Sequence, residues 1–261
     1  MSKEQKSVFC NMDCMEGMKE YPDKYFELAI VDPPYGINSP NMSMGSNKSR
    51  SRDGYPGVST AEKLRKGRLN AGAGKLKNRA LQKMNCEWDF TPPGPEYFEE
   101  LFRVSKNQII WGGNYFPLPP TRGIIVWDKC QPWENFSQVE MAWTSFDRPA
   151  ALFKYSNTGG RNNEEKIHPT QKPIELYRWI LKKYAKPGYR ILDTHVGSGS
   201  SLIACRELGY QYVGFELDEA YYMAACRRIE NHRNFQRKDD IEGQLSITQF
   251  MDLEKKNTTE S

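Results

Sequence analysis

The sequence is poor in the residues that bind transition metals. It has only three histidines, at positions 168, 195 and 232, and its six cysteines include no CxxC pair. Because zinc sites need ligands at closer spacing, we expect no metal. We interpret the cysteines as reduced, small apolar residues of the interior.

The 261-residue chain also has no long apolar run. No segment approaches the roughly 20 apolar residues needed to cross a bilayer. Residues 1–9 are polar and lack the apolar core and cleavage site of a secretory signal. These absences predict a cytoplasmic protein, and the length suits one α/β domain that carries an insertion.

Positive charge is concentrated in one segment. The chain has 37 Lys and Arg against 33 Asp and Glu, a net charge of +4 that by itself does not indicate a nucleic-acid partner. Between positions 47 and 83, however, eleven Lys and Arg stand against only Asp53 and Glu62. Residues 38–85 also contain many glycines and no regular apolar spacing, which predicts a long inserted loop.

Outside this segment, short apolar runs alternate with helical patterns. Strand-like composition is found in residues 25–31, 108–111, 123–129, 139–146 and 150–155. Residues 95–106 and 173–184 place apolar side chains on one helix face. The last third predicts strand, glycine loop, helix, strand and helix, a unit of the nucleotide-binding type in which Asp218 caps the last helix. The chain is therefore predicted to be an α/β protein.

The glycine loop DTHVGSGSS at 193–201 follows a predicted strand and opens a helix. Glycines let the backbone approach a ligand, and Glu216, 23 residues after Asp193, can accept hydrogen bonds from both hydroxyls of a ribose. The loop lacks the third glycine of GxGxxG, and Asp193 would repel a pyrophosphate but attract ammonium and sulfonium charges. These features favour S-adenosylmethionine over a nicotinamide cofactor, while a turn that serves only helix packing is the simpler alternative. The candidate cofactor contacts in this unit are Asp193, His195, Gly197, Ser198, Gly199, Ser200, Glu216 and Leu217.

The most specific motif is DPPYG at 32–36, directly after a predicted buried strand. An exocyclic amine of a nucleobase is a poor nucleophile, because its lone pair is delocalised into the ring. Asp32 can accept one amine proton, and the carbonyl of Pro33, oriented by two consecutive prolines, can accept the other. Tyr35 offers an aromatic face to a base that is flipped out of a duplex. The alternative is an ordinary proline turn.

Three motifs together resemble a known family. DPPYG at 32–36, HPTQKP at 168–173 and DTHVGSGS at 193–200, in this chain order, are similar to those of the beta group of DNA amino-methyltransferases, which includes restriction-modification and phage enzymes. The resemblance covers residues 7–234 except the basic insertion. It implies a Rossmann-like methyltransferase fold with circularly permuted motif order and a seven-stranded, mainly parallel sheet with one reversed strand. It also implies direct methyl transfer from S-adenosylmethionine without a covalent enzyme intermediate.

The resemblance also assigns roles to individual residues. Asp32, Pro33, Pro34 and Tyr35 match the catalytic tetrapeptide, and Asp32 also borders the methyl donor. The segment that contacts the adenine of the donor is matched by Asp13 and Cys14, and the segment at its methionine end by His168, Thr170 and Lys172. His195 departs from the pattern, since the family often has an aromatic residue there.

Beside such a site, the basic segment predicts contacts with DNA phosphates. The candidate DNA-binding residues are Lys48, Arg50, Arg52, Arg65, Lys66, Arg68, Lys75 and Lys77. The implied partners are double-stranded DNA and, in a restriction-modification system, a cognate endonuclease, with the protein acting as a monomer or homodimer. The chain then divides into the first part of the catalytic domain (1–37), the basic insertion (38–85), the rest of the catalytic domain (86–235) and a C-terminal extension (236–261) whose end is expected to be disordered.

The first residue of the tetrapeptide bears on the choice of target base. Aspartate at position 32 favours N6 of adenine, with N4 of cytosine as the nearest alternative. RNA and protein glutamine are less favoured, because the glutamine enzymes prefer asparagine at this position. A DNA-binding regulator that keeps the fold without turnover is a further alternative, against which the intact Asp32, Gly197, Gly199 and Glu216 argue.

Overall fold

The computed structural model describes residues 7–37, 91–131, 137–156 and 166–233. Its strands are β1 (Val8–Asn11), β2 (Phe26–Val31), β3 (Ser105–Trp111), β4 (Ile124–Asp128), β5 (Val139–Thr144), β6 (Ala151–Lys154), β7 (Arg190–Asp193) and β8 (Gln211–Glu216). Its helices are α1 (Cys14–Lys19), α2 (Pro95–Val104), α3 (Ile174–Tyr184), α4 (Ser200–Glu207) and α5 (219–233), and a 3₁₀ turn, Gly113–Tyr115, follows β3. The insertion 38–85 and the extension 236–261 lie outside the described residues.

The strands of the described ranges form one sheet in the order β1-β8-β7-β2-β3-β5-β4-β6. All neighbours are parallel except β5, which is antiparallel to both β3 and β4. The expected single reversed strand is therefore confirmed. The sheet has eight strands rather than the expected seven. Seven of the eight strands overlap the strand segments predicted from the sequence, and the eighth, β1, pairs with β8 at the edge of the sheet.

Two helices begin at residues that suit a helix N-terminus. Helix α2 starts at Pro95, where a missing N–H breaks no helical hydrogen bond, and it turns an apolar face that includes Leu101 towards the sheet. Asp218 caps α5 as predicted, because its Oδ1 accepts from the N–H groups of Ala220 at 2.8 Å and Tyr221 at 3.0 Å. None of the helices within the described ranges combines the length and the hydropathy that a membrane span requires.

The core lies on both faces of the sheet. Leu28 and Ile30 of β2 pack with α3 and α4 on one face. Ala29 and Val31, which alternate with them, pack with α1 and α2 on the other. Because both faces are covered by helices, residues 28–31 of β2 are all apolar, which is why the position of this strand is readable from the sequence.

Four acidic side chains lie at one edge of this sheet. Strands β1, β8, β7 and β2 are parallel neighbours, so their carboxyl ends lie side by side. Glu216 and Asp193 end two of these strands, and Asp13 and Asp32 follow the other two. Strand β5 runs in the opposite direction, which brings its beginning to the same edge.

Candidate active site

A cavity of about 750 Å³ lies at the carboxyl edge of the sheet. The loops after β1, β2, β7 and β8 meet there with the segment that precedes α3. A cavity of this volume is large enough for a nucleoside-containing cofactor. The predicted site residues that line it are Asp13, Cys14, Asp32, Pro34, His168, Thr170, Lys172, His195, Gly197, Ser198, Glu216 and Leu217.

Three predicted residues of the glycine loop do not line the cavity. Asp193 is only 3% exposed, because its carboxylate accepts hydrogen bonds from the N–H of His195 at 3.1 Å and from the hydroxyl of Ser201. Gly199 is the N-cap of α4, and Ser200 is the buried first residue of that helix. These three residues therefore belong to the glycine loop and to the start of α4 but are not part of the cavity wall.

Glu216 is held at the cavity wall by two backbone groups. The N–H of Gly197, whose φ is +54°, lies 2.8 Å from Oε2, and the N–H of Asp218 lies 3.0 Å from Oε1. Burial raises the pKa of Glu216. Each carboxylate oxygen retains a further lone pair, so the side chain can accept hydrogen bonds from two hydroxyl groups of a ligand in a fixed orientation.

His168 of HPTQKP is a buried, neutral imidazole. Its ring packs on Tyr221 with centroids 4.4 Å apart. The backbone N–H of Thr170 donates to Nδ1 at 3.4 Å, which places the proton of the neutral ring on Nε2. Burial, assisted by the nearby ammonium of Lys172, lowers the pKa of His168 to about 3. At physiological pH this residue therefore contributes a hydrogen bond rather than a charge.

Lys172 forms the centre of a buried ion-pair cluster. Its Nζ lies 2.5 Å from Oδ2 of Asp32 and 2.9 Å from Oε1 of Glu140, and its side chain is 2% exposed. The Nζ of Lys129 lies 3.0 Å from the other oxygen of Glu140. The resemblance assigns Lys172 to the methionine end of the donor. The structure places Lys172 in the cavity wall and directs its ammonium to the carboxylates of Asp32 and Glu140.

The charges of this cluster depend on one another. Burial raises the pKa of Asp32, an effect that Lys172 opposes and Glu140 reinforces. Burial alone would lower the pKa of Lys172, but the carboxylates of Asp32 and Glu140 raise it. Burial would also raise the pKa of Glu140, yet Lys172 and Lys129 lower it to about 2. Glu140 and Lys172 therefore stay charged at neutral pH.

Tyr35 and Pro33 lie behind Asp32 rather than on the cavity wall. The hydroxyl of Tyr35 lies 2.6 Å from Oδ1 of Asp32 and 2.9 Å from Oε1 of Glu140, while Pro33 is buried. The ring of Tyr35 stacks on Tyr115, with centroids 5.0 Å apart and planes inclined by 15°. One face of the predicted stacking platform is thus already covered by a second aromatic ring.

Two residues of this site were missed in the sequence. Glu140 shares its side of β5 with Ala142 and Thr144, both of which are fully buried. An acidic residue at an inward position of a strand is a signal that could have identified it. Tyr115 was missed because no sequence pattern shows that its ring reaches Tyr35.

Tyr97 of α2 is a further wall residue that the sequence pattern assigned only to a helix face. Its hydroxyl lies 2.6 Å from Oγ1 of Thr194, which in turn lies 2.9 Å from Nδ1 of His195. The imidazole of His195 meets the edge of the Tyr97 ring, and burial lowers the pKa of His195 to about 4. This arrangement fixes His195, the residue that departs from the family pattern, as a neutral side chain of the cavity.

The candidate DNA-binding residues lie outside the part of the chain that the structure describes. They are Lys48, Arg50, Arg52, Arg65, Lys66, Arg68, Lys75 and Lys77.

Sequence comparisons relate the chain to known proteins. The model of the family N6_N4_Mtase, described as DNA methylase, matches residues 75–227. YubD of Escherichia coli (strain K12) is 32% identical over 231 residues, which cover 85% of this chain and 90% of YubD. Type II methyltransferase M2.DpnII of Streptococcus pneumoniae is 27% identical over 146 residues, which cover 56% of this chain and 50% of that protein. The chain thus spans half the length of this second relative.

A structural comparison concerns the fold. PvuII DNA methyltransferase, named as cytosine-N4-specific, has a TM-score of 0.51 at 11% identity, with 88% of this chain and 91% of that chain covered. At this identity the similarity concerns the fold, and it confirms the expected methyltransferase fold. The family model covers more than half of the chain, and YubD exceeds 30% identity over most of both proteins. The chain therefore belongs to the N6/N4 family of DNA methylases.

Proposed function

We propose that the protein transfers a methyl group from S-adenosylmethionine to the exocyclic N6 amine of adenine in DNA, with the N4 amine of cytosine as the alternative target. One observation carries this proposal. Asp32 lines the same cavity as Gly197 and Glu216, although the three residues come from segments far apart in the chain. An acceptor for a base amine and a pocket suited to a nucleoside therefore share one cavity.

The cavity suits S-adenosylmethionine in volume and in charge. Its 750 Å³ lies within the range of cofactor sites. The carboxylates of Asp13, Asp32 and Glu216 border it and complement the sulfonium and ammonium charges of this cofactor. Glu216 would accept hydrogen bonds from the ribose hydroxyls, Asp13 would border the adenine, and His168 with Thr170 would border the methionine end.

The residues around Asp32 can activate an amine. Bound S-adenosylmethionine supplies an electrophilic methyl carbon. Asp32 accepts a hydrogen bond from one amine proton. The carbonyl of Pro33, which is bonded to the nitrogen of the cavity-lining Pro34, would accept the other, and the two bonds favour a pyramidal nitrogen with an available lone pair. Tyr35 and Lys172 already hold the two oxygens of Asp32, so the carboxylate is oriented before the base arrives. As the bond to carbon forms, Asp32 stabilises the positive charge on nitrogen and then receives the proton.

The basic insertion supplies the DNA contact in this proposal. Residues 38–85 would interrupt one catalytic domain, made of residues 1–37 and 86–235, and would contact the phosphates on either side of a flipped base. Because phosphate contacts release counterions, we expect the affinity for DNA to fall steeply as the salt concentration rises.

Product analysis tests the proposal. Purified full-length protein is incubated with S-adenosylmethionine and unmodified genomic DNA, and the DNA is digested to nucleosides for mass spectrometry. N6-methyladenine is the expected product, whereas N4-methylcytosine would establish the alternative. Donor binding without any modified base would overturn the DNA substrate in favour of RNA or protein. DNA binding with neither donor binding nor methylation would indicate a regulator.

A further inference from the structure

Glu140 is a charged side chain that takes no part in the motifs of the family. It lies on β5, the reversed strand, and it is not among the residues that line the cavity. Its side chain is only 18% exposed, yet it retains its charge because two lysines flank it. A buried carboxylate with two ion-pair partners beside the candidate catalytic aspartate needs an explanation beyond packing.

The geometry connects Glu140 to Asp32 through two donors. Tyr35 and Lys172 are the groups that hold Oδ1 and Oδ2 of Asp32, at 2.6 Å and 2.5 Å. Both groups also lie within hydrogen-bond distance of the same atom, Oε1 of Glu140, at 2.9 Å. A single oxygen of Glu140 therefore aligns both donors that orient Asp32. Glu140 itself is anchored by Lys129 through its other oxygen, 3.0 Å away.

The charge of Glu140 affects how strongly Lys172 neutralises Asp32. If the whole charge of Lys172 acted on Asp32 alone, the carboxylate would be a weaker acceptor for an amine proton. Because Lys172 pairs with Glu140 as well as with Asp32, it orients the carboxylate of Asp32 and leaves that carboxylate basic enough to accept an amine proton. The hydroxyl proton of Tyr35 is likewise shared between the two carboxylates.

We propose that Glu140 is a positioning residue for methyl transfer, which acts through Lys172 and Tyr35 to orient Asp32 and to limit the neutralisation of its carboxylate. This inference rests on the proposed function, since it assumes that the carboxylate of Asp32 receives the amine proton. Glu140 would not touch the base or the methyl donor.

The first test compares Glu140→Gln with Asp147→Asn, an exposed carboxylate-to-amide control whose ion pair with Arg122 lies at the surface. Methyl transfer is measured in single turnovers with saturating S-adenosylmethionine and DNA. We expect the rate of Glu140→Gln to fall by about 10-fold to 100-fold, as for other small misplacements of a catalytic group. Donor binding, measured by calorimetry, should stay within about twofold, because the cavity wall is unchanged.

The pH dependence of the same rate separates positioning from a general structural effect. Removal of the negative charge of Glu140 lowers the pKa of Asp32, so the acidic limb of the profile should move to lower pH by roughly one unit. Lys172→Met should move this limb to higher pH. Lys172 and Tyr35 contact Asp32 directly, and Glu140 lies on the other side of these two groups. The other titratable groups that interact with Asp32, at longer range, are Asp193, Tyr97 and Tyr177.

A double-mutant cycle tests whether Glu140 acts through Lys172. In the Lys172→Met background, Glu140→Gln should cause a clearly smaller loss of rate than it does alone. If Glu140→Gln does not fold, Glu140→Asp provides the test, because it keeps the charge and withdraws the carboxylate from both donors. Glu140→Asp should transfer the methyl group more slowly, while the acidic limb of its pH–rate profile should move little.

The outcomes distinguish this inference from the proposed function. A wild-type protein that methylates no DNA contradicts the proposed function and, with it, the inference. A methylating wild type with an unchanged rate and pH profile in Glu140→Gln overturns the positioning role alone. Fully additive losses in the double variant would also overturn it, because they would show that Glu140 does not act through Lys172.

Discussion

The ammonium of Lys172 lies 2.5 Å from Oδ2 of Asp32, although the two residues are 140 positions apart in the chain. This contact joins DPPYG to HPTQKP, two motifs that the sequence presents as separate. The parallel arrangement around β2 and the position of the segment before α3 bring them together. The site therefore depends on a tertiary contact between its motifs as well as on the motifs themselves.

The first prediction concerns Asp32. In Asp32→Asn the amide keeps the volume of the side chain but is a poorer acceptor and cannot take a proton. We expect methyl transfer to fall at least about 100-fold, as when other preorganised groups of an active site are removed. The affinity for S-adenosylmethionine should change by less than about 10-fold, since most lining residues are unaffected. Transfer of labelled methyl groups and calorimetry measure the two quantities, and retention of wild-type transfer would remove Asp32 from the mechanism.

The second prediction concerns the stability that Lys172 confers. Lys172→Met leaves the carboxylates of Asp32 and Glu140 facing each other, so the free energy of unfolding at pH 7 should fall by about 3–5 kcal/mol. The pKa of Lys172 is raised in the folded state. Its contribution is therefore complete below its usual pKa and is lost only as the pH rises through the raised value. Urea denaturation measures the difference.

A matched surface lysine serves as the control for this change. Lys154 lies 3.9 Å from Asp128 with 65% of its side chain exposed. Because exposed ion pairs contribute little, Lys154→Met should change the free energy of unfolding by less than about 1 kcal/mol. Equal losses in the two lysine variants would contradict the assignment of a buried cluster around Lys172.

The sequence predicts the local parts of this site well. DPPYG follows a buried strand, and the glycine loop opens a helix, because each motif depends on neighbouring residues in the chain. Glu140 and Tyr115 could not be placed in this way, since their contacts with Tyr35 arise from the tertiary packing of β5 and of the turn after β3. The orientation of Asp193 was also not predictable, because its rotamer depends on the hydroxyl of Ser201.

The third prediction concerns donor binding by Glu216. Glu216→Gln removes the charge that would strengthen hydrogen bonds from ribose hydroxyls, each of which contributes roughly 1.5–3 kcal/mol when charge-assisted. We expect the dissociation constant for S-adenosylmethionine to rise by between about 10-fold and 100-fold, with a much smaller effect on transfer at saturation. Glu219→Gln, an exposed neighbour on α5, should leave donor binding unchanged. An unaltered dissociation constant in Glu216→Gln would place the ribose elsewhere.

The fourth prediction concerns Asp193, whose pKa burial raises to about 7. The folded protein then holds this proton at pH values where the unfolded chain has lost it. The contribution of Asp193 to stability should therefore decrease as the pH rises from about 4 to 7, by up to about 1.4 kcal/mol for each pH unit. Asp193→Asn is neutral throughout, so its urea midpoint relative to that of the wild type should increase as the pH rises from about 4 to 7. Parallel curves for the two proteins would show that Asp193 titrates normally.

The fifth prediction compares two glycines whose backbone conformation is left-handed. Gly112 has φ +68° and Gly188 has φ +83°, so alanine at either position adds strain of about 1 kcal/mol. A Cβ at Gly188 meets nothing within 4 Å, whereas one at Gly112 would collide with the ring of Tyr35. Gly188→Ala should therefore lower stability slightly and leave methyl transfer intact. Gly112→Ala should displace Tyr35 and slow transfer at least about 10-fold, with donor binding preserved. Equal transfer rates in the two variants would show that the position of Tyr35 does not influence the reaction.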